Sequence, residues 1–549
     1  MKPVRILSFF LTAVFLMSAT DSLCAERTMI IEKNYLNIPI SQSLPAKALS
    51  LRAEGLDPLT VQVRISSEKE DYWVFKDLTR YAGKTLVLTY DGPQEALDRV
   101  FQADTICGRS ALYREKNRPQ YHFTTRRGWI NDPNGLVWHD GEYHLFYQHN
   151  PYGREWGNMH WGHAVSKDLL HWEEFDDALF PDSLGTMFSG SAVVDRKNSS
   201  GFGDRRHPPM VFAYTAAGRR ATQCIAYSLD HGRTLVKYEG NPVIDSYERW
   251  NSGDTRDPRL LWYAPGKHWV MVLYERDGNS IYTSDNLKDW TWRSHVRGFY
   301  ECPDLFELPV DGNPENTLWV MLGASGTYMT GTFDGFTFTP TGGKYLYTSG
   351  SLYAAQTFSN LPDGRCVQIG WGTMDQGELT PFNCLMLLPT ELTLRSTRDG
   401  ARIASVPVRE VKNLFERRYT ADGTLNGEEA TAAMKGFSGQ DGLHIHAILE
   451  LSYSTSAGLS LNGQNIIDYD TNHNRLCGQL FFAQDPTSLS LEADVYIDRT
   501  SVEVFVDGGL FSYSLRRDDG KTEGGLRFWG PGITVRDLQV DTISGIWNK

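Results

Sequence analysis

A block of strand and turn recurs along the middle of the chain, and this repeat constrains the fold more than any other feature. The first copy is residues 162–172, the second and more degenerate copy is residues 225–232, and the third is residues 281–290. The first and third copies share the pattern Ser-x-x-Leu-x-x-Trp. The serines at 166, 228 and 284 are 62 and 56 residues apart, and a weaker echo follows at 331–336.

Repeats of this kind are typical of β-propellers, in which each repeat forms one blade and insertions lengthen it. The span of about 280 residues between 118 and 400 holds roughly five such blades. A set of separate hairpins with similar turns is the competing interpretation. We predict an all-β protein: a five-bladed β-propeller catalytic domain, a C-terminal β-sandwich and a small N-terminal β-domain.

The pattern of apolar and polar residues divides the chain into four parts. Residues 26–115 alternate apolar and polar positions in short runs, which predicts a small antiparallel β-domain. The propeller is expected over 116–400. Residues 401–549 are expected to form the sandwich, because 494–498 and 501–506 alternate cleanly before a turn at 507–509. Residues 1–25 are set apart as a signal peptide.

The first residues have the pattern of a secretory signal. Lys2 and Arg5 precede an apolar run at 6–17, and small residues follow as far as Ala25. We therefore expect cleavage near Ala25 and a secreted or periplasmic protein. Cys24 offers a lipoprotein alternative, although Leu23 is a poor match to the small residue that such sites prefer. No later stretch is long and apolar enough for a transmembrane helix.

Composition narrows the class of protein. The 549 residues are 41% hydrophobic and 22% charged, which indicates several globular domains. The net charge of -13 argues against a nucleic-acid partner. The six cysteines beyond Cys24 are scattered without a CxxC pair, so disulfides are permitted but not required. The oligomeric state is left open.

Three acidic residues, each beside a rigid or bulky neighbour, are the candidates for catalysis. Asp132 lies in Asn-Asp-Pro-Asn-Gly, Asp257 in Arg-Asp-Pro and Glu301 in Glu-Cys-Pro, each near the start of a predicted strand and one in each of three successive repeats. Equivalent points of propeller blades converge on the central axis. Crowded carboxylates raise at least one pKa, which supplies a protonated acid beside an ionised nucleophile. The alternative is that such acids merely open strands.

The local sequence around Asp132 predicts how it is held. Pro133 fixes its own φ and favours an extended Asp132, and Asn134-Gly135 is a strong signal for a tight turn. We therefore expect a carboxylate at a rigid junction between a strand and a turn. An ordinary hairpin aspartate is the simpler interpretation of this stretch alone.

Other catalytic chemistries find less support. Seven of the 14 histidines lie between 122 and 171, but there is no HExxH and strand alternation scatters their side chains over both faces. No GxSxG elbow is present for a serine nucleophile. We expect neither a metal nor a cofactor.

These motifs together resemble glycoside hydrolase family 32, the invertases, inulinases and levanases. The family's leading motif resembles Trp-Ile-Asn-Asp-Pro-Asn-Gly at 129–135, and its other acidic motifs resemble Arg-Asp-Pro at 256–258 and Glu-Cys-Pro at 301–303. The runs at 146–151, 156–163 and 188–190 match in the same order, as does Ser-Val-Glu-Val-Phe at 501–505. The resemblance covers roughly residues 118–549.

The resemblance implies a retaining mechanism. Asp132 would be the nucleophile, Glu301 the acid and then the base, and Asp257 with Arg256 would hold fructose hydroxyls. Thr255 stands where the family usually has an aromatic residue, and residues 26–115 resemble an extra domain of some bacterial members. The remaining implied substrate-binding residues are Asn131, Gln148, Trp156, Phe188, Ser189 and Trp371.

The leading hypothesis is therefore a hydrolase of β-fructosidic bonds in levan or inulin, and possibly sucrose, which trims chain ends. The substrate would be a fructan or a fructo-oligosaccharide. A fructosyltransferase acting on sucrose would use the same covalent intermediate. A fructan-binding protein without turnover is the third hypothesis, although all three carboxylates are retained.

Overall fold

The structure is a computed structural model. It describes residues 24–377, 380–437, 439–452, 456–480, 489–518 and 525–547. The predicted signal peptide lies outside these residues except for its last two positions. The all-β prediction is confirmed: strands dominate throughout, around a five-bladed propeller with a mostly β C-terminal region.

Two small antiparallel sheets form the N-terminal part and share one apolar core. Tyr152 of the propeller is buried in the same core, so the N-terminal part is packed against the first blade. In spatial order the four-stranded sheet is Ala25–Ile30, Thr85–Tyr90, Lys47–Ala53 and Leu59–Val63, and the three-stranded sheet is Tyr72–Asp77, Tyr35–Ile40 and Phe101–Ala103.

Five blades of antiparallel strands follow. The first is Gly128–His139, Glu142–Asn150, His160–Ser166 and Trp172–Glu174. The second is Thr186–Val194, Met210–Ala217, Ala221–Ser228 and Val236–Lys237. The third is Thr255–Tyr263, His268–Glu275, Gly278–Ser284 and Thr291–Arg297. The fourth is Asp304–Val310, Asn313–Leu322, Thr327–Phe333 and Phe338–Pro340. The fifth is Leu352–Thr357, Val367–Gly372, Thr390–Thr397 and Gly400–Pro407.

The ring is closed by pairing between the two ends of the propeller sequence. The short strand Phe382–Asn383 runs parallel to Gly128 and Trp129 at the start of the first blade. Shorter strands complete the edges of the fourth and fifth blades: Tyr345–Leu346 and Leu385–Met386. These contacts join residues that are far apart in the sequence. The central axis of the propeller therefore depends on long-range pairing.

The recurring sequence block has a structural origin. Ser166, Ser228 and Ser284 each end the third strand of a blade, and each side chain hydrogen-bonds a residue two positions later. Leu169 and Leu287 then adopt a left-handed φ, at +69° and +62°, and are fully buried. The repeat is therefore a turn that caps one strand and anchors the next, which confirms the prediction of blades.

The C-terminal region consists of two sheets that face one shared apolar core. The two alternating runs at 494–498 and 501–506 correspond to the strands Ser490–Ile497 and Ser501–Val506, which pair antiparallel. The larger sheet also contains Thr348–Gly350, Phe511–Arg516, Leu443–Glu450, Thr534–Ile543, Phe415–Thr420 and Leu425–Asn426. The smaller sheet is Gln479–Leu480, Arg475–Leu476, Gln464–Asp470, Ser456–Leu461 and Leu526–Trp529.

Helices are short and few in the part of the chain that the structure describes. None of the helices there is both long and apolar enough to cross a membrane. All seven cysteines lie in that part, and none forms a disulfide. The α-helices are Gln94–Asp98, Tyr247–Trp250 and Gly427–Ala433, and the 3-10 helices are Thr79–Tyr81, Arg109–Ala111, Arg409–Leu414 and Met434–Phe437.

A buried ionic cluster joins the propeller to the C-terminal region. His122 Nδ1 lies 2.7 Å from Asp498 Oδ2, and its Nε2 lies 2.6 Å from Glu503 Oε1. Asp498 also accepts the backbone N–H of Gln120, and Glu503 accepts that of Leu388. Burial alone would lower the pKa of His122, but the hydrogen bonds to both carboxylates outweigh it and raise the pKa to about 9. Glu503, the glutamate of Ser-Val-Glu-Val-Phe, thus links the C-terminal region to the propeller.

We expect His122→Gln to destabilise the protein most strongly near neutral pH. A raised folded-state pKa gives stability that is complete below the unfolded value of 6.5 and is lost as pH rises through about 9. Losing one partner of a buried ion pair costs about 3–5 kcal/mol. The apparent Tm difference between wild type and variant should therefore be largest at about pH 6.5 and shrink towards about pH 9.5.

The matched control is His207→Gln, because the His207 side chain is 72% exposed and pairs only with a surface aspartate. It should leave Tm unchanged at every pH. A Tm difference for His122→Gln that stays constant from neutral to alkaline pH would contradict a charged histidine at this joint.

Candidate active site

Asp132 sits inside a continuous strand rather than at a turn. The strand Gly128–His139 pairs with Glu142–Asn150 and slips register twice, between Ile130 and Pro133 and between Asn134 and Val137. The predicted strand-to-turn junction is therefore wrong: Pro133 and Gly135 serve β-bulges, which bend a strand and re-aim its side chains. Gly135 has φ +54°, and a Cβ there would meet the Phe146 ring at 2.9 Å.

Hydrogen bonds from three neighbours surround the Asp132 carboxylate. Asn131 Nδ2 donates to Oδ1 at 3.1 Å, Ser189 Oγ donates to Oδ2 at 2.5 Å, and the Cys302 sulfur lies 3.4 Å from Oδ2. Trp129 Nε1 in turn donates to Asn131 Oδ1 and orients the amide. Burial raises the pKa of Asp132, and these hydrogen bonds partly oppose the rise because they favour the ionised form.

Asp257 is buried beside Asp132. Its Oδ2 accepts the backbone N–H of Cys302 at 2.9 Å, and its own N–H donates to Thr215 Oγ1 at 3.0 Å. One carboxylate oxygen of each aspartate and the Cys302 sulfur all lie within 4.8 Å of one another. Burial and the nearby charge of Asp132 raise the pKa of Asp257 to about 7. Asp257 therefore changes charge close to neutral pH.

Glu301 is held by two donors at the entrance to the fourth blade. Arg256 Nε donates to Oε1 at 2.9 Å, and the Tyr353 hydroxyl donates to Oε2 at 2.7 Å. Arg256 is itself fixed by Asp254 at 2.5 Å and by the Tyr300 hydroxyl at 3.1 Å. Arg256 thus contacts Glu301 rather than Asp257.

Three residues of this site have a left-handed backbone. Asp257, Glu301 and Cys302 have φ values of +65°, +49° and +41°. Left-handed conformations cost non-glycine residues free energy, and they persist where surrounding structure enforces them, often at functional sites. The contacts of these three residues with their neighbours therefore hold the backbone of the site in place.

The three acids do not come from successive blades, as the repeat count had suggested. Asp132 belongs to the first blade, Asp257 to the third, and Glu301 precedes the first strand of the fourth. The second blade contributes Ser189 instead. The prediction that blades converge holds, while the assignment of one acid to each of three successive repeats is wrong.

Aromatic side chains border the acids. Trp129 and Trp371 pack edge to face at 5.8 Å, and Tyr353 meets Trp371 at 6.2 Å. Trp156 is 57% exposed and stands edge-on to Phe188 at 5.9 Å. Such rings offer apolar surfaces to sugar faces.

The remaining predicted residues lie around this centre. Gln148 is buried and donates to the Met187 carbonyl, one residue before Phe188. Thr255 is also buried and accepts a hydrogen bond from Gln223 Nε2 at 3.2 Å, so it belongs to a polar network behind Asp257 rather than to an aromatic wall.

Sequence reasoning missed Tyr353, Asp254 and Thr215. Tyr353 lies in Ser-Leu-Tyr-Ala-Ala, which has no acid, proline or turn signal. Its place at the start of the fifth blade's first strand is the one signal that points to the axis. Asp254 stands two residues before Arg256, so its proximity was readable, but its ion pair was not.

Comparison with known proteins agrees with this geometry. Residues 122–407 match the family model described as the glycosyl hydrolases family 32 N-terminal domain. A levanase of Bacillus subtilis is 38% identical over 508 residues, which is 82% of this chain and 74% of the relative. An extracellular exo-inulinase of Aspergillus niger is 32% identical over 542 residues, with 82% and 100% covered.

Solved structures give the same result. The exo-inulinase from Aspergillus awamori aligns with a TM-score of 0.67 and 29% identity over 79% of this chain and 100% of that one. Fructan 1-exohydrolase IIa from Cichorium intybus has a TM-score of 0.65 at 21% identity, over 78% and 98%, and shares the fold. Given these matches and the family model, the chain belongs to glycoside hydrolase family 32.

Proposed function

We propose that the protein is an exo-acting fructan hydrolase that cleaves β-fructosidic bonds of levan or inulin with retention of configuration. The observation that carries the proposal is the pair of neighbouring aspartates around Cys302, of which Asp257 is buried and Asp132 partly buried, with Glu301 held by Arg256 and Tyr353. The names levanase and exo-inulinase among its relatives support this substrate class. A retaining glycosidase uses one carboxyl group as nucleophile and a second as acid and then base, and we give these roles to Asp132 and Glu301.

In the proposed first step, Asp132 attacks the anomeric carbon of a terminal fructose. The bond from that carbon to the linking oxygen breaks, and Glu301 gives its proton to this oxygen as the shortened chain leaves. In the second step Glu301 takes a proton from water, the water oxygen attacks the anomeric carbon, and the ester to Asp132 breaks. Glu301 regains its proton and fructose is released.

The surroundings of each aspartate suit different roles. Asp132 has donors on both oxygens, which stabilise the anion that must attack. Asp257, with a pKa of about 7, can both accept and donate hydrogen bonds at neutral pH, which suits binding to sugar hydroxyls. Asn131, Ser189, Arg256 and the rings of Trp156, Phe188 and Trp371 are proposed to bind the fructose unit, with Gln148 behind them.

We further propose export and a division into domains. The signal-like start at 1–25 and the extracellular relatives support secretion or a periplasmic location. An N-terminal β-domain over 26–115 would precede the catalytic propeller. Because Gly400–Pro407 pairs with Thr390–Thr397 of the fifth blade, the proposed boundary to the sandwich lies after Pro407 rather than at 400.

A product time course on levan and on inulin tests the function directly. We expect fructose alone from the first minutes, because relatives of this chain are exo-inulinases. The measurement is chromatography of samples taken at low conversion. Early oligosaccharides would overturn exo action, and no reducing sugar from either polymer would overturn fructan hydrolysis.

We expect Asp132→Asn to lower kcat by at least about 10³-fold, because an amide cannot form the fructosyl ester. The assay is fructose release at saturating substrate. Asp140→Asn is the matched control, since Asp140 is an exposed residue in the turn at the far end of the same strand. Asp132→Asn activity near that of the control would contradict the nucleophile assignment.

We expect Ser189→Ala to shift the acid limb of the pH profile of kcat/KM upwards. Ser189 donates to the Asp132 carboxylate and lowers its pKa, so its loss leaves the pKa higher and the nucleophile protonated at a higher pH. A hydrogen bond to a charged group is worth about 1.5–3 kcal/mol, so the shift should be about one pH unit or more.

Ser396→Ala, at an exposed serine of the fifth blade, serves as the control and should leave the limb in place. An acid limb in Ser189→Ala at or below the wild-type value would show that Asp132 does not govern it.

A further inference from the structure

The segment of residues 150–158, here called the rim segment, connects two strands of the first blade and carries Trp156. Trp156 is the most exposed of the proposed substrate-binding residues, at 57%, and its ring contacts Phe188 beside Ser189. An exposed ring on a loop needs support if it is to hold one position. The contacts of the rim segment identify that support.

Asn158 connects the rim segment to the N-terminal sheet. Its Oδ1 accepts the backbone N–H of Gln62 at 2.8 Å, and its Nδ2 donates to the backbone carbonyl of Gln62 at 2.8 Å. Gln62 lies on Leu59–Val63, the edge strand of the four-stranded sheet. The amide therefore pairs with an open strand edge as another strand would. Nδ2 also donates to Asn150 Oδ1 at 3.0 Å, which fixes the far end of the segment.

Two further contacts come from the same side. Arg64 Nη1 forms an ion pair with Glu155, the residue directly before Trp156. Arg64 Nε donates to the Leu44 carbonyl at 2.8 Å, so the guanidinium is anchored within the N-terminal part. Tyr152 is 2% exposed and is packed into the N-terminal apolar core. The rim segment is thus held at its start, before the indole and after it.

We propose that the N-terminal sheets, residues 25–103, position Trp156 at the mouth of the active site and so set the affinity for the fructan chain. Arg64 and Asn158 are the positioning residues. They act through the rim segment and not by contact with the sugar. The inference rests on the proposed fructan-hydrolysing function, and it gives the additional N-terminal part a role in substrate binding.

Position of the indole affects ground-state and transition-state binding alike, because it touches sugar rather than the reacting atoms. Its loss should therefore raise KM and leave kcat nearly unchanged. A purely structural role for the contacts would instead lower Tm or the amount of active enzyme, and would leave KM as it is.

The test is a charge swap. Arg64→Glu places a negative charge against Glu155, and we expect KM for inulin to rise about five-fold, with kcat within about two-fold of wild type. The double variant Arg64→Glu, Glu155→Arg restores the ion pair with reversed sense and should return KM to near the wild-type value. Arg52→Glu makes the same charge change at an exposed position of the N-terminal sheet and should have no effect.

Asn158→Asp gives a second test that keeps the size of the side chain. It loses the donor to the Gln62 carbonyl and sets a carboxylate oxygen against it, so KM should rise here too. Wild-type KM in both Arg64→Glu and Asn158→Asp would overturn the inference, as would a raised KM that the double variant fails to restore. Failure of the wild-type enzyme to release fructose would instead overturn the proposed function, so the two failures are distinguishable.

Discussion

The active site depends on holding carboxylates close together where the surrounding protein takes away part of their contact with water. One carboxylate oxygen of Asp132, one of Asp257 and the Cys302 sulfur lie within 4.8 Å of one another. Burial raises the pKa of both aspartates because it disfavours their charged form. Removing a carboxylate from water is costly, and proximity of a second one adds repulsion. Hydrogen-bond donors from several blades offset part of this cost. The apolar cores between the blades offset the rest of this free-energy cost and keep the strands in place.

Much of this could be predicted from sequence, because the relevant signals are local. The serine turns recur at blade spacing, and Asp132, Asp257 and Glu301 each stand within two residues of a proline. The error at Asp132 has a physical cause. Asn-Gly is a turn signal in isolation, but pairing with Glu142–Asn150 continues through it, and the left-handed glycine is absorbed as a bulge.

Long-range geometry was not readable from the same signals. The left-handed φ of Asp257 is imposed by neighbours far along the chain, and Tyr353 reaches Glu301 from a strand that begins about 50 residues later. Ser189 of the second blade was expected at the sugar site from the resemblance, but its hydrogen bond to Asp132 was not predicted. A local sequence does not show which blades will be neighbours. The hydrogen-bond partners of each acid are therefore visible only once the ring of blades is closed.

The arrangement around Glu301 places a condition on how it transfers a proton. Both of its oxygens accept hydrogen bonds, from Arg256 and from Tyr353. A guanidinium can only donate, whereas a tyrosine hydroxyl can both donate and accept. A proton on Oε2 is therefore compatible with Tyr353, which needs only to turn its hydroxyl. A proton on Oε1 requires Arg256 to withdraw its Nε–H. Arg256 can do so and remain anchored, because Asp254 and Tyr300 bind its other nitrogens. In the proposed mechanism Glu301 therefore gives up one hydrogen bond when it binds the leaving oxygen of the sugar, while the contacts of Arg256 with Asp254 and Tyr300 stay in place.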